Sequence, residues 1–242
     1  MKLLRKKTTI LRLYKISFCT TCMGRLHHIK ETFLKNIEKS LYPHCEFILV
    51  NYNSPDDLDE WAKNLPKEVI YIKTTKPTHW LPAHAKNIAH RAATGDILCN
   101  IDADNFIVPG FAHYLNELFQ KDVVVRGRGA GVYGRVALRK EHFYAVNGYD
   151  ENLTTWSGED TDLARRVAQH FNIKLVDCNP GYLKTLEHSN YERAQFLPGF
   201  KGNAATAYKE LREWTNQTSK RIKENLAAGK TVANQGVSWG AL

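Results

Sequence analysis

The feature that most constrains the fold of this 242-residue chain is the regular alternation of apolar strands and amphipathic helices in its first half. Each strand-like segment is followed by a segment whose apolar residues recur at helical spacing. The predicted strands are residues 14–20, 46–51, 69–74 and 96–102, and the predicted helices are 24–40, a short one around Trp61, 82–94 and one starting near Pro109. This order with short links predicts an α/β fold with a mostly parallel, Rossmann-like central sheet and flanking helices.

The pattern changes after residue 120 but still predicts one domain. Its elements are predicted as strands at 123–126, 132–139 and 173–177, and helices at 159–171 and 203–227. Residues 229–242 show no periodicity and are expected to be extended or loose. We expect a basic arm at 1–13, a single domain at 14–200 with halves 14–105 and 106–200, and a C-terminal helix and tail at 201–242.

The net charge of +9 is concentrated in two basic blocks, residues 1–15 and 121–140. Such blocks attract nucleic acid, anionic membrane or phosphorylated substrates, although most charge runs are only solvated surface. We find no apolar run long enough to span a membrane and no apolar segment typical of a signal peptide. The five scattered cysteines indicate a reducing compartment, so we expect a cytoplasmic protein, peripheral at a membrane surface if the basic face contacts lipid.

The sharpest local motif is Asp102-Ala103-Asp104, which follows the apolar strand ILCNI. Ligands of open α/β sheets bind outside the carboxyl ends of the strands. Two carboxylates one residue apart can share a hard divalent cation such as Mg²⁺ or Mn²⁺. The alternative is a polar turn in which Asp104 bonds only to neighbouring backbone.

A second acidic motif, Gly158-Glu159-Asp160-Thr161-Asp162, opens a predicted helix. One of its carboxylates could act as a general base, while Trp156 offers a ring on which a sugar face can stack. The structural alternative is a capping box between Ser157 and Asp160. His188 becomes a metal-ligand candidate only if the fold brings it to the first motif.

Two further motifs are weak evidence for a functional site. Cys19 and Cys22 form a C-x-x-C without the second pair that zinc needs. A redox role is a weaker interpretation than two small buried thiols. The glycines at 129, 131 and 134 match G-x-G-x-x-G, but strand rather than helix follows, so we reject a dinucleotide site. They fit a flexible turn or a loop whose backbone approaches a ligand.

In combination, the motifs resemble a nucleotide-sugar glycosyltransferase of the GT-A fold. The stretch NIAHRAATGDILCNIDADNF is similar to the helix, strand and D-x-D of family 2 transferases. The G-Y-D-E and G-E-D-x-D-L motifs of FYAVNGYDENLTTWSGEDTDLARRV resemble a C-terminal galactosyltransferase segment, and TLEHSNYER resembles the histidine-bearing segment that follows it. The resemblance covers residues 14–192.

The resemblance implies a role for twelve residues. Asp102, Asp104 and His188 would hold Mn²⁺ or Mg²⁺, Asp160 would be the catalytic base, and Glu159 and Trp156 would contact the acceptor. The nucleotide-sugar would contact Asp102 and Asp104 together with Thr20, Thr21, Arg25, Asn51, Asn53 and Asn87. Many family members carry aspartates where this chain has Asn51 and Asn53, so the uracil and ribose contacts depart from the pattern.

The resemblance therefore implies a metal-dependent, inverting hexosyltransferase that uses a nucleotide-sugar, typically a UDP-sugar, and a glycan or lipid-linked hydroxyl acceptor. An alternative acceptor is a hydroxylated base in DNA, which a basic groove would suit. A haloacid-dehalogenase-type phosphohydrolase is disfavoured because Phe106 stands where that family has Thr or Val. A non-catalytic nucleic-acid-binding domain explains the charge but leaves the acidic motifs unexplained.

Overall fold

A computed structural model describes residues 11–156 and 158–242. Its central feature is a seven-stranded sheet beside a small two-stranded one. The strands are β1 (Ile16–Cys22), β2 (Cys45–Tyr52), β3 (Ile70–Thr74), β4 (Ile97–Asn100), β5 (Asn105–Phe106), β6 (Val123–Arg126), β7 (Val136–Arg139), β8 (Lys174–Asp177) and β9 (Lys184–Thr185).

The strand order β3-β2-β1-β4-β7-β6-β8 is mostly parallel. Strands β1 to β4 run parallel, as do β6 and β8, and only β7 is antiparallel to its neighbours. The sequence prediction of a mostly parallel, Rossmann-like sheet in a single α/β domain is thereby confirmed. The carboxyl ends of β1, β2 and β4 lie at one edge, where such sheets bind ligands.

Helices cover both faces of the sheet. They are α1 (Leu26–Lys39), α2 (Leu58–Ala62), α3 (Pro82–Ala92), α4 (Phe111–Leu118), α5 (Lys140–Ala145), α6 (Glu159–Phe171), α7 (Asn190–Ala194) and α8 (Ala207–Ala227). Successive strand residues point to opposite faces, so Phe18 packs in the cluster under α1 and α4 while Cys19 packs in the cluster under α3 and α6. Burial on both faces explains why the strands read as continuous apolar runs.

Two local details differ from the sequence prediction. Strand β7 begins at Val136 rather than at residue 132, because residues 127–134 form a turn closed by a hydrogen bond from the Gly127 N–H to Arg135 O. Strands β5 and β9 have only two residues each, too few for any periodicity to reveal.

The C-terminal tail packs on the body instead of being loose. The Trp239 ring lies 5.6 Å from Phe143 and the Arg91 guanidinium stands 5.2 Å above it. The Asn234 amide donates to Tyr149 O at 2.7 Å, and the Gly240 N–H donates to Glu151 at 2.7 Å. These contacts join residues far apart in the sequence, so the hydrophobic periodicity of the tail could not predict them.

Candidate active site

One cavity of about 600 Å³ opens at the carboxyl ends of β1 and β4. Eight of the residues singled out from the sequence line it: Thr21, Arg25, Asp102, Asp104, Trp156, Glu159, Asp160 and His188. These residues come from four separate stretches of chain, namely 21–25, 102–104, 156–160 and residue 188. The tertiary structure therefore brings the D-x-D and G-E-D motifs together.

Asp104 and His188 form a close pair although 84 residues separate them. The His188 Nε2 and Asp104 Oδ2 atoms are 2.6 Å apart, and both side chains are buried. The small sheet explains the approach, because Asn105 pairs with Thr185 and the Leu186 N–H donates to Asp104 O at 2.8 Å. Burial alone would raise the pKa of Asp104, but the hydrogen bond and charge of His188 and the charge of Arg25 lower it.

Asp102, two residues before Asp104, contacts the glycine-rich turn. Its Oδ1 accepts a hydrogen bond from the Asn100 amide at 2.9 Å, and Asn100 also donates to Gly134 O at 2.8 Å. A Cβ at Gly134 would collide with the Asp102 carboxylate. Gly134 therefore allows the close approach of backbone to the D-x-D carboxylate.

The side chains of Asp104 and His188 are oxygen and nitrogen donors that a divalent metal accepts, with Asp102 on the same turn as Asp104. Their chemistry fits Mn²⁺ better than Mg²⁺, because Mg²⁺ prefers oxygen ligands alone. Two or three protein ligands leave coordination positions for diphosphate oxygens. Arg25 and Arg193 line the same part of the cavity and add positive charge for such a group.

The acidic pair Glu159 and Asp160 begins α6, where the helix dipole favours negative charge. Both carboxylates bind the buried Lys86 ammonium of α3, at 2.8 Å from Glu159 and 2.7 Å from Asp160. The same ammonium lies 3.8 Å from Asp102 Oδ1. Lys86 thus connects the base candidate with the D-x-D motif, a role that no sequence motif indicated.

Charge and burial oppose each other in this cluster. Burial alone would lower the pKa of Lys86, but Asp160, Glu159 and Asp102 raise it well above its usual value, so the ammonium stays charged. Burial and the neighbouring Glu159 raise the pKa of Asp160 well above its usual value. A carboxylate with a raised pKa holds a proton more readily, which suits a general base.

The structure does not show Asp160 in the capping box that the sequence offered as an alternative. Gly158, in a left-handed conformation, occupies the N-cap position of α6, and both Asp160 oxygens accept from Lys86. Ser157, the proposed capping partner, lies outside the described residues.

Four predicted donor-binding residues are not among the described residues that line the cavity: Thr20, Asn51, Asn53 and Asn87. The Asn87 amide instead donates to Tyr149 O at 2.9 Å and Glu151 at 2.8 Å, so it holds the loop before α6. Asn51 donates to the Tyr71 hydroxyl at 2.9 Å, and Asn53 donates to Pro77 O at 2.7 Å. All three amides serve structural hydrogen bonds in this state.

Three residues near His188 form another cluster of metal-ligating side chains. The ligand atoms of His27, His28 and Glu192 lie within 4.8 Å of one another, and the His28 ring is 5.2 Å from the His188 ring. Burial, with the nearby His27 and Arg25, lowers the pKa of His28 to about 4. His27 and His28 are adjacent in the sequence, and their spacing matches no metal motif such as H-E-x-x-H.

The C-x-x-C motif shows no sign of reactivity. Cys19 and Cys22 are both buried, and burial raises the pKa of the Cys22 thiol to about 12. A redox or metal-binding cysteine needs an accessible thiolate. The motif belongs to the packed interior of β1.

Three arginines of the basic block at 121–140 form salt bridges. Arg126 and Arg128 both bind Asp177, at 2.7 and 3.2 Å, and Arg139 binds Asp122 at 3.2 Å. Arg135 is buried and donates to Tyr182 O at 2.7 Å. In the other block, residues 1–10 lie outside the described residues. No helix within 11–156 and 158–242 is long and apolar enough to cross a membrane.

A mostly parallel sheet, a D-x-D motif at its carboxyl edge and an acidic helix start facing it define a nucleotide-sugar glycosyltransferase of the GT-A class. The chain matches the model of glycosyl transferase family 2 over residues 17–175 and belongs to that family. This membership contradicts the phosphohydrolase and nucleic-acid-binding interpretations of the sequence.

Known proteins agree with this assignment. A 47-residue segment is 45% identical to a beta-1,4-galactosyltransferase 4 from Cricetulus griseus, covering 19% of this chain and only 13% of that protein. The fold is similar to mannosyltransferase PcManGT from Pyrobaculum calidifontis, solved with GDP-Man and Mn²⁺, with a TM-score of 0.62 and 18% identity over 91% of this chain and 73% of the other. GalNAc-T7, solved with UDP, GalNAc and Mn²⁺, gives a TM-score of 0.62 and 15% identity over 88% and 48%. At these identities the two structures show the shared fold.

Proposed function

We propose that this enzyme transfers a sugar, with inversion, from a UDP-sugar to a hydroxyl group of a glycan or lipid-linked acceptor, and that it requires Mn²⁺. The observation that carries the proposal is the division of one cavity into two carboxylate groups joined by Lys86. One group, with His188, suits a metal-bound diphosphate. The other suits removal of a proton.

The donor end would use Asp104, His188 and Asp102 as metal ligands. When bound there, the cation neutralises the charge that develops on the departing nucleoside diphosphate. Arg25 and Arg193, which line this end, would stabilise the same charge. Mn²⁺ and UDP occur in similar structures: GalNAc-T7 was solved with UDP and Mn²⁺, and S. aureus TarS 1-349 in complex with UDP.

Asp160 would take the proton of the acceptor hydroxyl as that oxygen attacks the anomeric carbon. Lys86 orients Asp160 through both carboxylate oxygens and keeps Glu159 at its side. Because a nucleoside diphosphate leaves without protonation, one carboxylate base is sufficient, unlike glycoside hydrolysis, which needs two. Direct attack of this kind inverts the anomeric centre.

Nucleotide-sugar donors presented with Mn²⁺ test the proposal through the released nucleoside diphosphate, with glycans, lipid-linked sugars and hydroxymethylated DNA as acceptors. Asp104→Ala should abolish transfer and donor hydrolysis, because the diphosphate loses its cation. EDTA should do the same to the unmodified enzyme. Asp177→Ala is the matched control, since that carboxylate binds Arg126 and Arg128 at the sheet edge. Full activity in EDTA at saturating donor would refute the metal assignment.

A further inference from the structure

Helix α8 forms one wall of the active-site cavity. Four of its residues line the cavity: Thr215, Ser219, Ile222 and Lys223. Their spacing of four, three and one residues places them on a single helix face. This wall lies outside the matched family region, which ends at residue 175. The chain therefore closes a family 2 site with an element that the family model does not include.

Gly158 brings this wall directly against the acidic pair. It has a φ of +107°, and a Cβ there would lie 2.7 Å from Thr218 Cγ2 and 2.9 Å from Ile222 Cδ1. The next two residues are Glu159 and Asp160. Helix α8 thus lies beside the proposed base. Trp156 packs against the apolar cluster that includes Leu211, which lies in the N-terminal part of α8. The α8 wall belongs to the acceptor end of the cavity.

Among the described residues, two cations at the acceptor end are not paired with an acid, whereas the carboxylates of Glu159 and Asp160 bind Lys86. Arg165 of α6, one turn after the cavity-lining Thr161, and Lys223 of α8 both line this end. Within the part of the chain that the structure describes, neither forms a salt bridge or a side-chain hydrogen bond. The adjacent Arg166 differs, because it binds Asp162 at 2.6 Å and three backbone carbonyls. The cavity-lining residues of α8, together with Thr161 and Arg165, include no carboxylate.

We propose that Arg165 and Lys223 form an anion subsite and that the acceptor is a saccharide bearing a phosphate or carboxylate group. The proposal rests on the proposed function and specifies its acceptor. The sugar ring would stack on Trp156, its attacked hydroxyl would face Asp160, and its anionic group would bind the two cations. A guanidinium offers paired donors that match phosphate and carboxylate oxygens. A DNA acceptor is less favoured, because Arg126 and Arg128 are already paired with Asp177.

The test compares matched acceptors with the donor found active in the presence of Mn²⁺. They are a neutral hexose glycoside, its 6-phosphate, the corresponding hexuronoside, a lipid diphosphate-linked hexose and a hydroxymethylated DNA duplex. We expect the anionic saccharides to be preferred. Arg165→Gln and Lys223→Gln should each raise the acceptor KM about tenfold. The KM for the donor and the rate of donor hydrolysis should not change. The soluble phosphate and the lipid diphosphate distinguish the two sources of the anion.

Lys220→Gln is the matched control, because Lys220 is an exposed cation of the same helix that pairs with Glu224 and does not line the cavity. Neutral and anionic saccharides used equally well, or a KM shift in Lys220→Gln as large as in Lys223→Gln, would overturn the anion subsite. Transfer to the DNA duplex alone would also overturn it. In each case, donor hydrolysis that still requires Asp104 would leave the proposed function standing. Absence of any donor cleavage would overturn both.

Discussion

Lys86 shows how a single buried residue organises the site. It is 3% exposed, yet its ammonium faces three carboxylates from two distant motifs. A buried charge is stable only when charges of opposite sign compensate it, and here three carboxylates surround one ammonium group. Burial, together with the neighbouring negative charge of Glu159, raises the pKa of Asp160, as the proposed role of a base requires.

Asp160→Asn should therefore separate activity from stability. The asparagine can still accept a hydrogen bond from Lys86 but cannot take a proton. We expect turnover to fall by roughly two orders of magnitude or more, with donor binding nearly unchanged. The melting temperature should stay the same or rise, because one of two crowded carboxylates loses its charge. Initial rates, donor titration and thermal unfolding measure the three quantities.

Asp162→Asn is the control from the same helix turn. Asp162 is buried and bonded to Arg166 at 2.6 Å, and it does not line the active-site cavity. This variant should lose stability and keep its turnover. If Asp160→Asn behaves in the same way, Asp160 is a structural residue and not the base.

Glu46 provides a pH-dependent prediction away from the cavity. Its carboxylate accepts from Lys15 Nζ at 2.6 Å, Ser17 Oγ at 2.5 Å and the Thr94 N–H at 2.6 Å. Burial alone would raise its pKa, but these hydrogen bonds lower the pKa to about 2. A lowered pKa in the folded state means that the ionised form stabilises the fold. That stability is complete above the unfolded pKa of about 4.3 and is lost as the pH falls towards 2.

Glu46→Gln should be less stable than the unmodified protein by about 2 kcal/mol at pH 6, with a difference that shrinks between pH 4.5 and pH 2. Urea unfolding at several pH values measures this profile. Glu38→Gln, at an exposed position, should follow the unmodified protein. A pH-independent difference would mean that the Glu46 charge is not what stabilises the junction of β1, β2 and β4.

At the scale of elements, the glycine-rich turn between β6 and β7 positions the D-x-D motif. Ala130, Gly131, Tyr133 and Gly134 line the cavity, and Gly134 touches the Asp102 carboxylate. Of the two interpretations open from the sequence, a flexible turn or a close backbone approach, the geometry supports the second. The neighbouring Gly127 has the same need, because a Cβ there would collide with Val132 O.

Gly134→Ala should displace Asp102 and lower transfer by about tenfold to a hundredfold, since small misplacement of a metal or substrate ligand is costly. The apparent affinity for Mn²⁺ should fall with it, which metal titration of the reaction measures. Gly181→Ala is the matched control, because Gly181 lies in an exposed turn where the nearest atom to a Cβ is Asn179 Oδ1 at 3.3 Å. Unchanged activity in Gly134→Ala would show that Asp102 does not need this approach.

At the scale of the whole molecule, residues 229–242 return from α8 to the loop that precedes α6. Trp239 contacts Phe143 and Arg91, and Gly240 packs so closely on Arg91 and Asn87 that a Cβ would lie 2.9 to 3.1 Å from them. Asn87 in turn holds Tyr149 and Glu151. The tail therefore supports the active-site loop from behind.

Trp239→Ala should lower the free energy of unfolding by roughly 1–3 kcal/mol, less than for a fully buried tryptophan because the ring is only partly covered. Urea unfolding measures the loss. Val237→Ala, at a side chain that is 63% exposed, should cost little. Equal stability of the two variants would mean that the tail does not pack on the body in solution.

Local pattern was sufficient for much of the fold and part of the site. Helix α6 spans Glu159–Phe171, as its periodicity predicted, and the parallel order of β1 to β4 follows from the strand–helix alternation. The D-x-D and G-E-D motifs were visible because their residues are contiguous, and their place at element ends is a local property. The direction in which a side chain points depends on tertiary packing. The sequence therefore shows that Asn51, Asn53 and Asn87 are polar, but not which groups they bind.

Only the tertiary structure decided which charges meet. Lys86 is an ordinary lysine in an alanine-rich helix until packing of α3 beside α6 removes it from water and places it among carboxylates. His188 reaches Asp104 because two residues of β9 pair with β5, which no period reveals. Helix α8 lines the cavity, and it packs so closely on Gly158 that a Cβ there would lie 2.7 Å from Thr218 Cγ2. The sequence by itself thus determined the elements and the chemical groups, while long-range packing determined their partners, because burial and distance set electrostatic energies and neither is encoded locally.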